Sequence, residues 1–223
     1  MRQLYDDLWQ TDSERPFPYL VTRAYLLDLG AHNLLIYNTG LEHEIEHIAR
    51  LGGISRQYLS HIHEAGPSCA RISGRFSSQL WCRDIEAVEV SAAAGLQPHH
   101  TFTGGDVHYE RLRIVAAPGH TPGSNCLAYS SPTNRTYLFT GDTLGVNSDG
   151  VWVAGYIRGL SDLAALGETI EALRKQTPDI VISSAFGDAH PVNEVTPAQW
   201  QDALDQAAQG LEDVRNGGEL RLS

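Results

Sequence analysis

The stretch Leu112-Arg-Ile-Val-Ala-Ala-Pro-Gly-His120-Thr-Pro-Gly123 decides the fold. It is an apolar run of strand type that stops on Pro and Gly, with a histidine held between them. Three further stretches share this design: Gln57-Tyr-Leu-Ser-His61-Ile-His63, Tyr137-Leu-Phe-Thr-Gly-Asp142, and Ile180-Val-Ile-Ser-Ser-Ala-Phe-Gly-Asp188-Ala-His190. In open α/β sheets, sites form beyond the carboxyl ends of strands. Each run is therefore expected to deliver its polar end to one sheet edge. The glycines allow sharp turns and close backbone approach.

Around these runs, strands are expected at Tyr19–Asp28, Asn33–Tyr37, Gln57–Ser60, Gln79–Cys82, Arg111–Ala117, Asn125–Tyr129, Thr136–Thr140 and Asp179–Ser183. Helices are expected at Glu42–Leu51, in the Ala-rich second part of Cys82–Gly95, and at Asp162–Gln176, the last with Ser161 as N-cap. Thr196-Pro197-Ala198-Gln199 combines a capping box with Pro at the first helical position, so a helix closes the chain. Strands mixed with helices imply a layered α/β fold, and 223 residues fit one domain over 1–223. Sixteen basic residues against 27 acidic ones leave a net charge of −11. Such a chain repels phosphate backbones and anionic lipid, which argues against nucleic acid and membrane partners. The N-terminal stretch has no signal-like apolar run, and Cys69, Cys82 and Cys126 are too few for a disulfide framework, so a reducing cytoplasm is expected.

His61 and His63 stand two apart. In extended backbone both side chains point to one side, so both imidazoles could reach one ion. His120 and the carboxylate of Asp142 would complete a tetrahedral set of three histidines and an aspartate, which suits zinc, with iron or manganese as alternatives. A chance His-x-His pair is unremarkable among ten histidines. The weight lies in three separate loops each supplying a ligand.

With these motifs in view, the sequence resembles the metallo-β-lactamase superfamily, over roughly residues 18–190. Leu35-Ile36-Tyr37-Asn38-Thr39-Gly40 is similar to its opening turn. Gly52-Gly53-Ile54 leads to Ser60-His61-Ile62-His63-Glu64-Ala65-Gly66, which matches the first half of its histidine signature. Pro118 to Ser124 and Phe139 to Leu144 match two further motifs in full. The resemblance implies a four-layer αβ/βα sandwich of mixed sheets flanked by helices. It also implies a metal site of His61, His63, His120 and Asp142, with Asp142 orienting or deprotonating the attacking water.

Members of the superfamily usually hold two ions. At the positions that would bind the second, this chain has Ala65, Gly66 and Phe186, none of which can ligate a metal. Asn38 replaces the aspartate of the opening turn, which weakens the polar support expected there. The resemblance thus implies one divalent ion. Glu64, Asp188 and His190 are the nearby groups that could compensate, with His190 the possible extra ligand.

His43-Glu44-Ile45-Glu46-His47 also fits the helical H-E-x-x-H signature of metalloproteases. Leu41, Ile45, Ile48 and Leu51 form the apolar stripe of that helix, however, and place both histidines on the opposite, solvent side. No Gly-x-Ser-x-Gly elbow or phosphate loop occurs. The expected activity is hydrolysis of a small ester, thioester or lactone by water that one ion activates. A degenerate binding or scaffold protein of the same fold is the alternative, and the metalloprotease a remote one. About 30 residues follow the last motif, so no large C-terminal substrate domain is expected. The loop from Gly145 to Gly159, with Trp152 and Tyr156, is expected either to wall a pocket or to pack into the core.

Overall fold

A computed structural model describes residues 1–17, 20–30, 32–187 and 190–218. Tyr19 and Asp188 lie outside them. The chain runs β1 (Arg2–Tyr5), β2 (Leu8–Gln10), β3 (Glu14–Phe17), β4 (Leu20–Thr22), β5 (Tyr25–Leu27), β6 (Leu34–Ile36), α1 (Glu42–Arg50), β7 (Arg56–Tyr58), α2 (Pro67–Phe76), β8 (Gln79–Arg83), α3 (Ala87–Ala94), β9 (His100–Phe102) and β10 (Val107–His108). It continues β11 (Leu112–Ala116), β12 (Asn125–Ser130), β13 (Thr136–Gly141), β14 (Leu144–Val146), β15 (Trp152–Ala154), α4 (Leu163–Leu173), β16 (Ile180–Ser183), β17 (Val192–Glu194) and α5 (Pro197–Arg215).

Two mixed sheets carry the architecture. One has the order β1-β2-β5-β6-β7-β8-β9, the other β10-β11-β12-β13-β16-β17. Strands β6 to β9 run parallel, as do β13 and β16. Parallel neighbours need a crossover, and the intervening helices supply it.

The period-2 pattern of the second sheet shows how the layers form. Leu127, Tyr129, Tyr137, Phe139, Ile180 and Ile182 pack into the core between the sheets, with Tyr25, Ile36, Tyr37 and Tyr58 opposite. The alternate residues Cys126, Ala128, Leu138 and Val181 face outwards and pack on Leu166, Ile170 and Leu173 of α4 and Trp200, Leu204 and Leu211 of α5. Strands buried on both faces need apolar residues at every position, as these have. On the far side, α2 and α3 close over Leu59, Leu80 and Cys82. The layers are helix, sheet, sheet, helix: the expected four-layer sandwich.

All eight expected strands appear, with differences at the edges. Tyr19–Asp28 is not one strand. It breaks at Arg23-Ala24, so that β4 pairs with β3 as a separate hairpin and β5 joins the large sheet. Helix α3 begins at Ala87 because Cys82 and Arg83 belong to β8. The N-cap of α4 is Asp162, whose carboxylate accepts from the N–H groups of Ala164 and Ala165. Thr196 and Gln199 form the expected capping box. All three cysteines are buried free thiols. Among the described residues, no helix is long and apolar enough to cross a membrane.

Candidate metal centre

His61 and His63 follow β7, His120 follows β11, Asp142 follows β13 and Ser184 follows β16. Four strand ends thus meet at one edge of the sandwich. Cross-sheet hydrogen bonds hold the edge together. Tyr37 donates its hydroxyl to Ile182 O and accepts Gly141 N–H, at 2.9 and 2.8 Å. Asn125 donates its side-chain and backbone N–H groups to Ser60 O at 2.6 and 3.0 Å.

Close backbone approach explains the glycines. A Cβ on Gly141, whose φ is +55°, would lie 2.1 Å from Ser60 Oγ; one on Gly155 would lie 1.7 Å from Asp142 O.

The three imidazoles are mutually near-perpendicular, with ring centroids 4.7 to 5.2 Å apart. His63 Nδ1 is 3.1 Å from His120 Nε2. Asp142 Oδ2 is 3.6 Å from His61 Nε2 and 3.7 Å from His120 Nε2. A tetrahedron with zinc–ligand bonds of about 2.05 Å has edges of about 3.3 Å. The observed edges bracket that length, so the donor set fits a small divalent ion.

The outer nitrogens fix which inner ones are bare. His120 Nδ1–H donates to Gly155 O at 2.5 Å, which leaves Nε2 as the lone pair. His61 Nδ1 lies 3.0 Å from Ser60 Oγ and 3.3 Å from Glu64 Oε1. Ser60 gives its hydroxyl proton to Glu64 Oε1 at 2.5 Å and its N–H to Glu64 Oε2 at 2.7 Å. Its oxygen is therefore the acceptor for His61 Nδ1–H. His61 Nε2 is buried with no hydrogen-bond partner. A buried imidazole nitrogen without a hydrogen-bond partner, flanked by a carboxylate, fits a metal ligand.

Electrostatics point the same way. Burial opposes a charge on His61, but the carboxylates of Asp142 and Glu64 outweigh it and push the imidazole up to about 10. Burial and the neighbouring His61 charge push His120 down to about 4. Burial opposes the charge on Asp142, yet His61 and His120 hold its carboxyl well below the usual range. The group calls for one positive charge at its centre, which His61 takes as a proton when no cation is bound.

Beside this group, the positions the resemblance assigns to a second ion offer few ligand atoms. Ala65 and Gly66 offer no ligand atom. Phe186 is 5% exposed, packs with Val153 and Ala185, and lies across Gly145, where a Cβ would come within 2.2 Å of its ring. It holds a left-handed backbone at φ +79°, a strained state for a bulky side chain. Both Glu64 oxygens are committed to Ser60. Asp142 Oδ1 accepts the Ser184 hydroxyl. His190 is exposed and stands outside the three-histidine group. Asn38 is well tied in, contrary to expectation: it donates to Glu64 O and Ser68 Oγ and accepts from Gln57.

The group opens into a cavity of about 1220 Å³. The β3–β4 hairpin forms one wall, and the segment from Gly155 to Leu160 another; Arg15, Arg23 and Arg158 also line it. Tyr156 belongs to that wall, whereas Trp152 packs on the α4–α5 layer.

The H-E-x-x-H helix is α1. His43 is exposed and contacts Asp12 Oδ2 at 3.0 Å; His47 is half-buried against the amino group of Met1. Glu44 is fully buried rather than solvated, and accepts from Asp12 N and the Met1 amino group. The two histidines have separate partners, and neither lines the cavity.

The fold is that of the metallo-β-lactamases. The chain is similar to a metallo-β-lactamase from Pontibacter korlensis, with a TM-score of 0.71 and 14% identity over 95% of this chain and 98% of that one. A metallo-β-lactamase from Hirschia baltica gives 0.70 and 16% over 93% and 95%. An archaeal metallo-β-lactamase superfamily protein from Sulfolobus tokodaii gives 0.65 and 15% over 90% and 85%. No family sequence model and no curated protein sequence matches the chain.

Proposed function

We propose that this chain is a single-domain member of the metallo-β-lactamase superfamily that hydrolyses a small ester, thioester or lactone with one divalent ion, zinc first among the options. The observation that carries the reading is the convergence of three imidazole nitrogens and one carboxylate oxygen on one point, with His61 Nε2 buried and unpaired. His61, His63 and His120 would hold the ion, with Asp142 Oδ2 beside it. When bound, the ion supplies Lewis acidity and a water acidified towards neutral pH. Asp142 is placed to orient that water and accept its proton, because Ser184 fixes its other oxygen. Gly155 O fixes His120, and Ser60 with Glu64 fixes His61. The acidic chain and its buried thiols suit small substrates in the cytoplasm, without nucleic acid or membrane partners.

The test is metal analysis of purified protein, followed by a hydrolysis panel. One ion per chain, lost in His120→Ala and His61→Ala but retained in His43→Ala, supports the reading. Absence of a stoichiometric metal overturns it. Ala65, Gly66 and Phe186 favour a second reading, a binding protein that retains the fold. One bound ion with no turnover of any ester, thioester or lactone would select it.

A further inference from the structure

We infer that the substrate of this site carries an aliphatic chain on its reacting carbonyl, seated between the β3–β4 hairpin and the segment from Gly155 to Leu160. The inference rests on the hydrolase reading and names its substrate class. The cavity that holds His61, His63, His120 and Asp142 has a volume of about 1220 Å³. That exceeds the roughly 300–1,000 Å³ of pockets for drug-sized ligands, so the reacting group fills only part of it. Most of the remaining wall surface is apolar, from Phe17 and Leu20 on the hairpin, Tyr156, Ile157 and Leu160 opposite, and Phe186 at the strand ends, with Arg15, Arg23 and Arg158 set among them. Of these six apolar and aromatic side chains only Tyr156 offers a hydrogen-bonding group, so the surface they form suits an alkyl chain better than a sugar or peptide backbone.

Two large apolar side chains also stand at the rim, beside the exposed Arg15 and Arg158. Phe17 is 56% exposed and Leu160 67% exposed. They stand on the two walls of the same cavity, one on a hairpin separate from both main sheets and one on a loop. Large apolar side chains set around a cavity mouth mark a binding surface rather than a solubility feature. An alkyl chain running from the metal centre to this rim gains burial with each methylene while its carbonyl stays at the histidines. In the reaction, water adds to the carbonyl and the carbon–oxygen or carbon–sulfur bond breaks. The fatty carboxylate, one proton and the free alcohol or thiol are released.

The experiment has two arms. In the first, zinc-loaded full-length protein is assayed against p-nitrophenyl acetate, butyrate, hexanoate, octanoate and decanoate. The expected result is kcat/KM rising about fourfold per added methylene until the cavity is filled. In the second, n-hexanol, n-octanol and n-decanol are titrated calorimetrically into metal-free protein, with affinity expected to rise by the same factor. Phe17→Ser and Leu160→Ser should flatten both series, while Val88→Ser on α3, also exposed, should change neither. Flat series in the unmodified protein, or series that Phe17→Ser and Leu160→Ser leave intact, overturn the inference. A rising alcohol series in a protein that hydrolyses no ester upholds the chain pocket and overturns the hydrolase reading, so the two failures are distinguishable.

Discussion

Glu64 gives the sharpest test of how the centre is built. Its side chain is only 8% exposed. Its two oxygens take both protons that Ser60 can offer, from the hydroxyl and from the backbone N–H. The Ser60 oxygen is thereby left as an acceptor for His61 Nδ1–H. In Glu64→Ala that order fails. The Ser60 hydroxyl is free to turn and donate to Nδ1, which moves the imidazole proton to Nε2, the nitrogen that must face the ion. Removing a partner that orients a ligand histidine typically costs about 10–100-fold in metal affinity, or roughly 1.4–2.7 kcal/mol. The buried Ser60 N–H also loses its acceptor, which lowers the stability of the metal-free fold by about 1–3 kcal/mol. Glu64→Gln keeps one acceptor oxygen where two are needed, so its loss should be intermediate. Competition for zinc against a chromophoric chelator reads the affinity, and thermal melting of metal-free protein reads the stability separately. Ser60→Ala should weaken zinc as well, and the double variant should lose less than the two singles added together, because both act through His61. Zinc affinity unchanged in Glu64→Ala would refute the relay, and so would strict additivity with Ser60→Ala.

Further predictions follow from the same geometry. The melting temperature of the metal-free protein should peak near pH 6.5. His61, raised to about 10, contributes stability that is full below its ordinary value and lost as pH rises through 10; His120, lowered to about 4, contributes stability that is lost as pH falls through 4. Bound zinc replaces the His61 proton, so the alkaline decline should vanish in loaded protein, and a differential melting series over pH 4–10 checks this. Gly141→Ala places a methyl group 2.1 Å from Ser60 Oγ on a left-handed backbone, and should cost at least about 1–2 kcal/mol in chemical denaturation together with weaker zinc binding. Asp162→Ala removes the α4 cap and should cost about 1 kcal/mol, a fall of roughly 2–4 °C in melting temperature, without change in zinc affinity.

The sandwich was legible because its central strands are buried on two faces and read as unbroken apolar runs ending in Gly, Pro or His. The elements that sequence reasoning missed are those that lack this signal. Strands β9, β10, β14, β15 and β17 have two or three residues each, too few to show alternation. The outermost strand of the large sheet, β1, is half polar because only one of its edges is paired. Helix α2 was legible in principle. Cys69, Ile72 and Phe76 recur at helical spacing after Pro67 at the first turn, but the stretch directly follows the histidine signature and reads as part of its loop. At the centre, the ligand types could be read from the motifs; the support around them could not. Nothing local to Glu64 distinguishes a carboxylate aimed at a metal from one turned back onto Ser60, because the difference is a side-chain direction set by the turn that follows β7. Likewise Tyr58 closes on His108 at 2.6 Å across fifty residues, a pairing that only the fold creates.

The scarcity of ligand atoms on the outer side of the centre and the wiring of its inner side belong together. A two-ion centre needs a carboxylate with one oxygen free to face outwards, and donors around the outer position. Here the outer oxygen of Asp142 is held by Ser184, the nearest additional carboxylate is held by Ser60, and the outer wall is the Phe186 ring seated on Gly145. These three arrangements engage or exclude the lone pairs on that side, while the nitrogens of the three imidazoles stay turned towards one another. Among the described residues the orphaned buried nitrogen of the centre is His61 Nε2, on the inner side. An unpaired buried imidazole nitrogen at the point where three histidines and a carboxylate meet, with Asp142 Oδ1 and both Glu64 oxygens already engaged, leaves Asp142 Oδ2 as the carboxylate oxygen placed to face an ion and its water.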